Sequence, residues 1–494
     1  MARSTNHRSA RERNQAVREQ QMRLSEERRM RSLRSEDFQM DEPTSPARED
    51  DRVRFQSMTS SLEREEQERE RPADRSRSRR QRQRRTRQRV RTEQAVAPRT
   101  KEKRERKSFA EVIGKAHESD FSVIASMILL CFIGLVMVTS SSYYYAYNKI
   151  GNPLYFLYRQ AFYLGISTVV LIAAMYIPLW IYRRLAWAFY AISFGMALAV
   201  LIFGINLNGS TRWLSIAGIQ FQPSELVKLG VALFVAVKAE QYQDSIKSFR
   251  TFVILLVIVA VPALLVAYQN LTSGIIIAMI GLTIMLVAGC RIRYFVILGL
   301  LGIALLAVVI VLPMYVPLSS FPGFMRGFLE KFMYRTNRVR AFLDPFKYVQ
   351  NEGYQIVQSL YAIGSGGFFG QGLGESIQKL GFIPEAYNDI IFAIICDELG
   401  LLGAGLVMIL FGILIYHGGR IAMCAPDPFT TYLAAGLVCQ VGLQAILNIA
   451  VSTNSIPATG VSLPFISYGG TSILFLMVSM GLLLNISRYT RQSN

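Results

Sequence analysis

Cysteine is scarce in this chain of 494 residues, and its pattern excludes two kinds of site. The five cysteines (Cys131, Cys290, Cys396, Cys424 and Cys439) all lie in or beside apolar segments. They show neither a pairing pattern nor the spacing of metal ligands. We therefore expect them to be small apolar packing residues rather than disulfides or a metal centre.

Residues 1–110 contain few apolar residues. Such a segment cannot bury enough surface to offset its conformational entropy, so we expect residues 1–117 to form a disordered, Arg-rich tail. No apolar segment precedes residue 118, so a cleavable signal peptide is not expected. Residues 71–107 hold 17 Lys/Arg against 4 acids. They lack interleaved aromatics, so contact with anionic lipid is favoured over a protein partner, and nucleic acid is disfavoured.

From residue 118 onward, apolar runs of membrane-spanning length dominate the sequence. The pattern predicts an all-α polytopic membrane protein over residues 118–490. Ten transmembrane helices are expected, at 121–142, 155–177, 185–204, 223–241, 251–268, 271–290, 295–315, 388–416, 428–450 and 467–486.

The charges of the short connectors set the expected orientation. Nearly all of the cationic connector residues fall on the side of the basic tail, whereas the opposite short connectors carry only Lys149 and Arg212. Both termini are therefore expected in the cytoplasm, and residues 316–387 form a large extracytoplasmic loop. A loop of this length is usually functional.

Glu225 and Lys228 stand out inside an expected span, since charges in a membrane are expensive and face a cavity or a partner. Their i,i+3 spacing lets them pair on one helical face. A structural clamp between helices and the lining of a substrate cavity both remain open. Lys379, Asp397 and Glu398, at or inside the bilayer boundary, are candidates by the same argument.

Three long segments carry a family resemblance: 208–230 (NGSTRWLSIAGIQFQPSELVKLG), 352–403 and 462–475 (SLPFISYGGTSILF). They resemble the SEDS family, which comprises the FtsW, RodA and SpoVE proteins, polytopic glycosyltransferases that polymerise peptidoglycan from lipid II. The stretch YQIVQSLYAIGSGGFFGQGLGESIQKL looks more like FtsW and SpoVE than RodA.

The resemblance implies a set of substrate-binding residues. They are Arg159, Arg212, Glu225, Lys228, Arg335, Arg338, Glu385 and Asp389. Arginine can hold a pyrophosphate with two hydrogen bonds. For the arginines the alternatives are an interfacial anchor or a solvated basic face. For Asp389, entering a span, function or helix capping is favoured over bare surface.

The chain departs from the family at the expected catalytic carboxylate. The family motif has the form LDPWxDPxGxGYQ, and its later aspartate is implicated in catalysis. Here the stretch reads LDPFKYVQNEGYQ, so Tyr348 occupies that position. Asp344 or Glu352 could replace it, or the chain could be weakly active or inactive. A second departure places Asn270 where the family commonly has an acid.

The resemblance implies glycosyl transfer at the outer face of a bacterial cytoplasmic membrane, in division or sporulation. The implied partners are lipid II, the nascent glycan strand, a class B penicillin-binding protein transpeptidase and divisome proteins. A divalent cation, Mg or Mn, on the pyrophosphate stays open, although the sequence has no metal-ligand cluster. The alternatives are a lipid-linked precursor transporter (flippase), disfavoured because internal repeats are absent, and a non-catalytic scaffold for a transpeptidase.

Overall fold

The structure, a computed structural model, describes residues 119–207, 210–216, 219–315, 338–350, 353–383 and 385–490. The expected tail 1–117 lies outside the described residues. So do two of the candidate site residues, Arg335 and Glu352.

The described residues are mostly helical, with three short strands. The helices are α1 (Phe121–Ile150), α2 (Tyr155–Tyr176), α3 (Leu179–Phe203), α4 (Pro223–Gln241), α5 (Phe249–Gln269), α6 (Leu271–Val287), α7 (Ile292–Tyr315), α8 (Tyr354–Gly366), α9 (Ile391–Met423), α10 (Pro428–Ser452) and α11 (Gly470–Ser487). The strands are β1 (Ile205–Leu207), β2 (Ser210–Ile216) and β3 (Ile219–Phe221). Two 3₁₀ turns, Gln243–Ser245 and Pro345–Tyr348, complete the set.

Ten of these helices coincide with the ten expected segments, and α8 lies within the expected large loop. Seven of the described helices are long and apolar enough to cross a membrane, namely α1, α2, α3, α5, α9, α10 and α11. The helix α6, with 17 residues, falls just below that length. The chain is thus an all-α, multi-pass membrane protein, while the count of ten spans stays a prediction.

Side-chain caps fix where several helices begin. Asp120 accepts hydrogen bonds from the backbone N–H groups of Ser122 and Val123 at the start of α1. Asp427 forms a capping box with Thr430 at the start of α10. Such caps satisfy backbone donors that have no partner within the helix, which matters most where water is absent.

The strands form an antiparallel meander between α3 and α4, which the sequence analysis did not predict. Asn206 pairs with Thr211 across β1 and β2, and Ser215 pairs with Gln220 across β2 and β3. The meander carries Arg212 on its middle strand, β2.

Helix α9 is interrupted at Gly400, whereas the sequence predicted one continuous span. Gly400 adopts φ 64° and ψ −164°, a conformation open essentially to glycine alone. Backbone carbonyls freed by the break accept hydrogen bonds from the loop after α8: Gln371 N–H donates to the Asp397 carbonyl at 2.8 Å, and Gly372 N–H to that of Glu398 at 3.1 Å. The loop therefore satisfies polar backbone that lipid could not.

The interruption yields a stability prediction. We expect Gly400→Ala to destabilise the purified protein by about 1–3 kcal/mol, because a Cβ there would also lie 2.6 Å from the Phe368 carbonyl oxygen. Gly405→Ala, in the same helix with open space around its Cβ position, is the matched control. It should be neutral or stabilising by up to about 1 kcal/mol. Equal melting temperatures for the two variants would contradict the strain.

The orientation yields a labelling prediction. In a background without native cysteines, Glu375→Cys, at an exposed site in the expected outer loop, should react with an impermeant maleimide in intact cells. Asp244→Cys, exposed between α4 and α5, is the control for the opposite side and should react only after permeabilisation. Reversed labelling of the two sites would overturn the positive-inside assignment.

Candidate functional site

A cavity of about 2160 Å³ opens among the described residues. Its walls come from the end of α1, the start of α2, the meander, the start of α4, the α5–α6 junction, the helical turn at 338–343 and the segments 379–389 and 456–472. Large clefts with a few convergent polar groups are the usual location of ligand sites.

The cavity carries an excess of positive charge. Of its described lining residues, six are cationic: Lys149, Arg159, Arg212, Lys228, Arg338 and Lys379. Three are acidic: Glu225, Glu385 and Asp389. Every described member of the predicted substrate-binding set therefore lines one cavity. A cleft dominated by one sign of charge attracts ligands of the opposite sign, so this cavity suits an anion.

The Glu225–Lys228 pair forms as its spacing predicted. Lys228 Nζ lies 2.7 Å from Glu225 Oε1, and the two side chains are only 2% and 8% exposed. Pro223 occupies the first turn of α4, where its missing N–H costs nothing. Both residues line the cavity, so they are a clamp within its wall rather than a contact remote from it.

Two arginines hold the connection between α10 and α11 against the cavity. Arg212, from β2, donates from Nη1 to the Gly460 carbonyl at 3.3 Å. Arg338, from the turn at 338–343, donates from Nη1 to the Ala458 carbonyl at 3.2 Å. The arginines thus come from separate segments of the chain and meet on one short loop at the cavity wall.

Asp389 lies beside these arginines, two residues before α9. A Cβ on Gly460 would lie 2.8 Å from Arg212 Nη1 and 3.3 Å from Asp389 Oδ2, so the two side chains are neighbours. The backbone of Asp389 is fixed by Asn448, whose Nδ2 donates to the carbonyls of Asp389 at 2.8 Å and Val461 at 2.7 Å. Burial raises the pKa of the Asp389 carboxyl, Glu385 raises it further, and the Arg212 and Arg338 guanidinium groups oppose the shift.

Arg159 sits at the start of α2 between two tyrosines. Its Nη1 donates to the Tyr155 hydroxyl at 2.7 Å and its Nη2 to the Tyr163 hydroxyl at 3.4 Å. The guanidinium also lies over both rings, 5.5 and 5.9 Å from their centroids. Such contacts are worth roughly 0.5–1 kcal/mol at exposed sites. The exposed Arg159 is therefore held in one orientation at the cavity mouth, which suits either an interfacial anchor or a ligand contact.

The predicted catalytic residue Asp344 is placed differently. It is exposed, and its carboxylate accepts the Lys347 N–H at 3.3 Å, capping the 3₁₀ turn Pro345–Tyr348. Its neighbours Phe342 and Leu343 line the cavity, whereas Asp344 is not among the lining residues. Its catalytic role stays a prediction.

Glu385 and Asn270 also line the cavity, and each has a distinct local geometry. Glu385 adopts φ 50°, uncommon for a non-glycine residue, and accepts a hydrogen bond from Asn388 Nδ2 at 3.0 Å. Asn270, where the family commonly has an acid, caps α6 by accepting from the N–H groups of Thr272 and Ser273. The substitution keeps the capping function and removes one negative charge from the cavity wall.

The sequence analysis named Lys379 and Glu398 individually but did not predict that they pair with each other and with Ser140. Lys379 Nζ lies 2.8 Å from Glu398 Oε1 and 3.0 Å from Ser140 Oγ, and Ser140 also donates to Glu398 at 2.7 Å. The cluster ties the segment before α9 to both α1 and α9. Only the isolated charges were visible in the sequence, because nothing in the α1 pattern marks Ser140 as a partner.

The buried pair generates a double-mutant prediction. Removing one member leaves the other charge unpaired, so Glu225→Ala and Lys228→Ala should each destabilise by about 3–5 kcal/mol. The double variant should cost less than the sum of the two, measured as unfolding of purified protein. Arg250→Ala, exposed at the start of α5, is the control for loss of one charge. Strict additivity would contradict the pairing.

Known proteins resemble this chain in sequence. The family model FTSW_RODA_SPOVE, described as "Cell cycle protein", matches residues 121–492. Stage V sporulation protein E of Bacillus subtilis (strain 168) is 37% identical over 381 residues, covering 76% of this chain and 99% of the relative. The probable peptidoglycan glycosyltransferase FtsW of Geobacter sp. (strain M18) is 34% identical over 373 residues, covering 75% and 96%.

Solved structures share the fold. A chain of the structure reported as "Structural coordination of polymerization and crosslinking by a peptidoglycan synthase complex" has a TM-score of 0.61 at 23% identity, covering 76% of this chain and 99% of that one. Rod shape determining protein RodA of Thermus thermophilus has a TM-score of 0.54 at 21% identity, covering 76% and 98%. On the family match and the sequence relatives together, the chain belongs to the FtsW/RodA/SpoVE family.

Proposed function

We propose that this protein is a peptidoglycan glycosyltransferase that polymerises lipid II at the outer face of the bacterial cytoplasmic membrane. The observation that carries the proposal is the net-cationic cavity lined by Arg159, Arg212 and Arg338. Its relatives include proteins named for this activity and for sporulation, which supports a role in division or spore wall synthesis.

The proposed reaction joins two lipid-linked sugars. The 4-hydroxyl oxygen of the GlcNAc of lipid II attacks C1 of the MurNAc that ends the growing chain. The bond from C1 to the pyrophosphate oxygen breaks, and undecaprenyl pyrophosphate leaves with the electron pair. The chemistry needs a carboxylate to take the hydroxyl proton and cations where negative charge develops.

The arginines supply the second requirement. Arg212 and Arg338 meet on the loop 456–461, so a pyrophosphate in this part of the cavity would contact guanidinium groups from two separate segments. Fixed cations in a site shielded from water stabilise a leaving anion more than the same cations in bulk solvent. The Glu225–Lys228 pair would keep this wall rigid.

A divalent cation, Mg²⁺ or Mn²⁺, does not fit the donor set of the described cavity. Glu225 is already paired with Lys228, and the positive charge of Arg212 and Arg338 near Asp389 disfavours a further cation there. The described residues contain no group of three or more His, Cys, Asp or Glu that could hold a metal ion. The proposed mechanism therefore routes no step through a metal.

The proposed partners follow from the same chemistry. A processive polymerase needs the nascent glycan strand as its second substrate and a transpeptidase, here a class B penicillin-binding protein, to cross-link the product. A solved neighbour belongs to a synthase complex that couples polymerization and crosslinking. Divisome proteins complete the proposed set. The acceptor and donor both carry long polyprenyl chains, so a cavity reached from the lipid phase would suit them.

Polymerisation by purified full-length protein tests the proposal. With labelled lipid II and a class B transpeptidase, the wild type should produce glycan strands, and Arg212→Ala should reduce the rate at low lipid II about 10- to 100-fold, the value of one or two charge-assisted hydrogen bonds. Arg250→Ala is the matched control and should leave the rate unchanged. Movement of lipid II across vesicles without any glycan would instead support a transporter, and neither activity would support a scaffold.

A further inference from the structure

The described cavity offers three carboxylates, and two of them are already engaged. Glu225 forms an ion pair with Lys228 at 2.7 Å, and protonating it would leave that ammonium group unpaired. Glu385 is exposed and accepts a hydrogen bond from Asn388. Asp344, the first candidate from the sequence, faces solvent while capping a turn and does not line the cavity.

Asp389 differs from Glu225, Glu385 and Asp344. Among the described residues no group donates a hydrogen bond to its carboxylate, and it forms no ion pair within 4 Å. Its main chain is nevertheless fixed, because the fully buried Asn448 donates to its carbonyl. An acid that is held by its backbone while its carboxylate stays available is placed to exchange a proton with a bound substrate.

Two polar atoms around Asp389 also lack partners. Arg212 Nε and Thr459 Oγ1 are buried and have no hydrogen-bond partner among the described residues. Both residues line the cavity, as does Gly460 between Asp389 and Arg212. Buried polar groups are normally satisfied, so unpartnered ones next to an available carboxylate indicate that a polar ligand completes the site.

We infer that Asp389 is the general base of the glycosyl transfer and replaces the family aspartate whose position Tyr348 occupies. The inference rests on the proposed function. As the 4-hydroxyl oxygen of the acceptor GlcNAc bonds to C1 of the donor MurNAc, its proton passes to the Asp389 carboxylate. The C1–oxygen bond breaks, and undecaprenyl pyrophosphate leaves with the electron pair beside Arg212. The protonated Asp389 then returns its proton to water before the next cycle.

The charges facing Asp389 are consistent with that role. Arg212 from β2 and Arg338 from the turn at 338–343 favour its ionised form, whereas Glu385 on its own segment disfavours it. Burial outweighs the arginines and raises the pKa of the carboxyl. A base with a higher pKa accepts a proton more readily, provided that it is still ionised at the working pH.

The test compares variants of the full-length protein in the polymerisation assay. We expect Asp389→Asn to lower kcat about 10²- to 10⁴-fold, the usual contribution of a general base, while the dissociation constant for lipid II changes only a few-fold. Asp389→Glu should recover part of the rate, since it restores a carboxylate. Asp244→Asn, an exposed change outside the cavity, is the matched control. Asp344→Asn, unlike Asp389→Asn, should keep most of the wild-type kcat.

The wild-type pH profile provides a readout that needs no variant. Because a base must be ionised to act and the pKa of Asp389 is raised by burial, kcat should rise with pH through a value above the ordinary pKa of an aspartate. Three results would overturn the inference while leaving the proposed function intact. The Asp389→Asn variant could keep the wild-type kcat, or it could lose rate only in proportion to its loss of lipid II binding. Alternatively, Asp344→Asn could lower kcat more than Asp389→Asn does. A wild-type protein that makes no glycan would contradict both the inference and the proposed function.

Discussion

The cost of an unpaired charge inside a membrane bundle is the constraint on which this structure depends. The two most buried ion pairs of the described residues, Glu225–Lys228 and Lys379–Glu398, satisfy that constraint within the protein. Ser140 supplies an additional hydrogen bond to the second pair. Asp389, which is half-buried, forms no such ion pair among the described residues, and the nearby Arg212 and Arg338 partly offset its charge.

The same constraint applies to backbone groups. Helix α9 breaks at Gly400, and the loop 366–372 donates hydrogen bonds to the carbonyls that the break exposes. This loop therefore packs against the break in α9. A non-helical backbone in the membrane region is tolerated where protein satisfies its polar groups. Residues 352–403 thus contribute both this loop and, through Lys379 and Asp389, part of the cavity wall.

Much of the helical layout was readable from the sequence, because apolar runs of membrane-spanning length need little tertiary information. The pairing of Glu225 with Lys228 was also predictable, since three residues separate them on one helix. The meander that carries Arg212 and the break at Gly400 were not, because both depend on contacts with distant segments. The environment of Asp344 was not predictable either, because a motif fixes residue order, whereas the direction of a side chain in a loop depends on how the loop packs.

A structure of the purified protein with lipid II bound is the measurement that tests the central claim most directly. The account predicts that the pyrophosphate lies within hydrogen-bond distance of Arg212 or Arg338, and that the sugar hydroxyl nearest to the reacting carbon faces Asp389. The pyrophosphate would then also be close to Arg212 Nε, one of the donors without a partner among the described residues. Lipid II bound outside the cavity, or with its sugars against Asp344, would contradict the account.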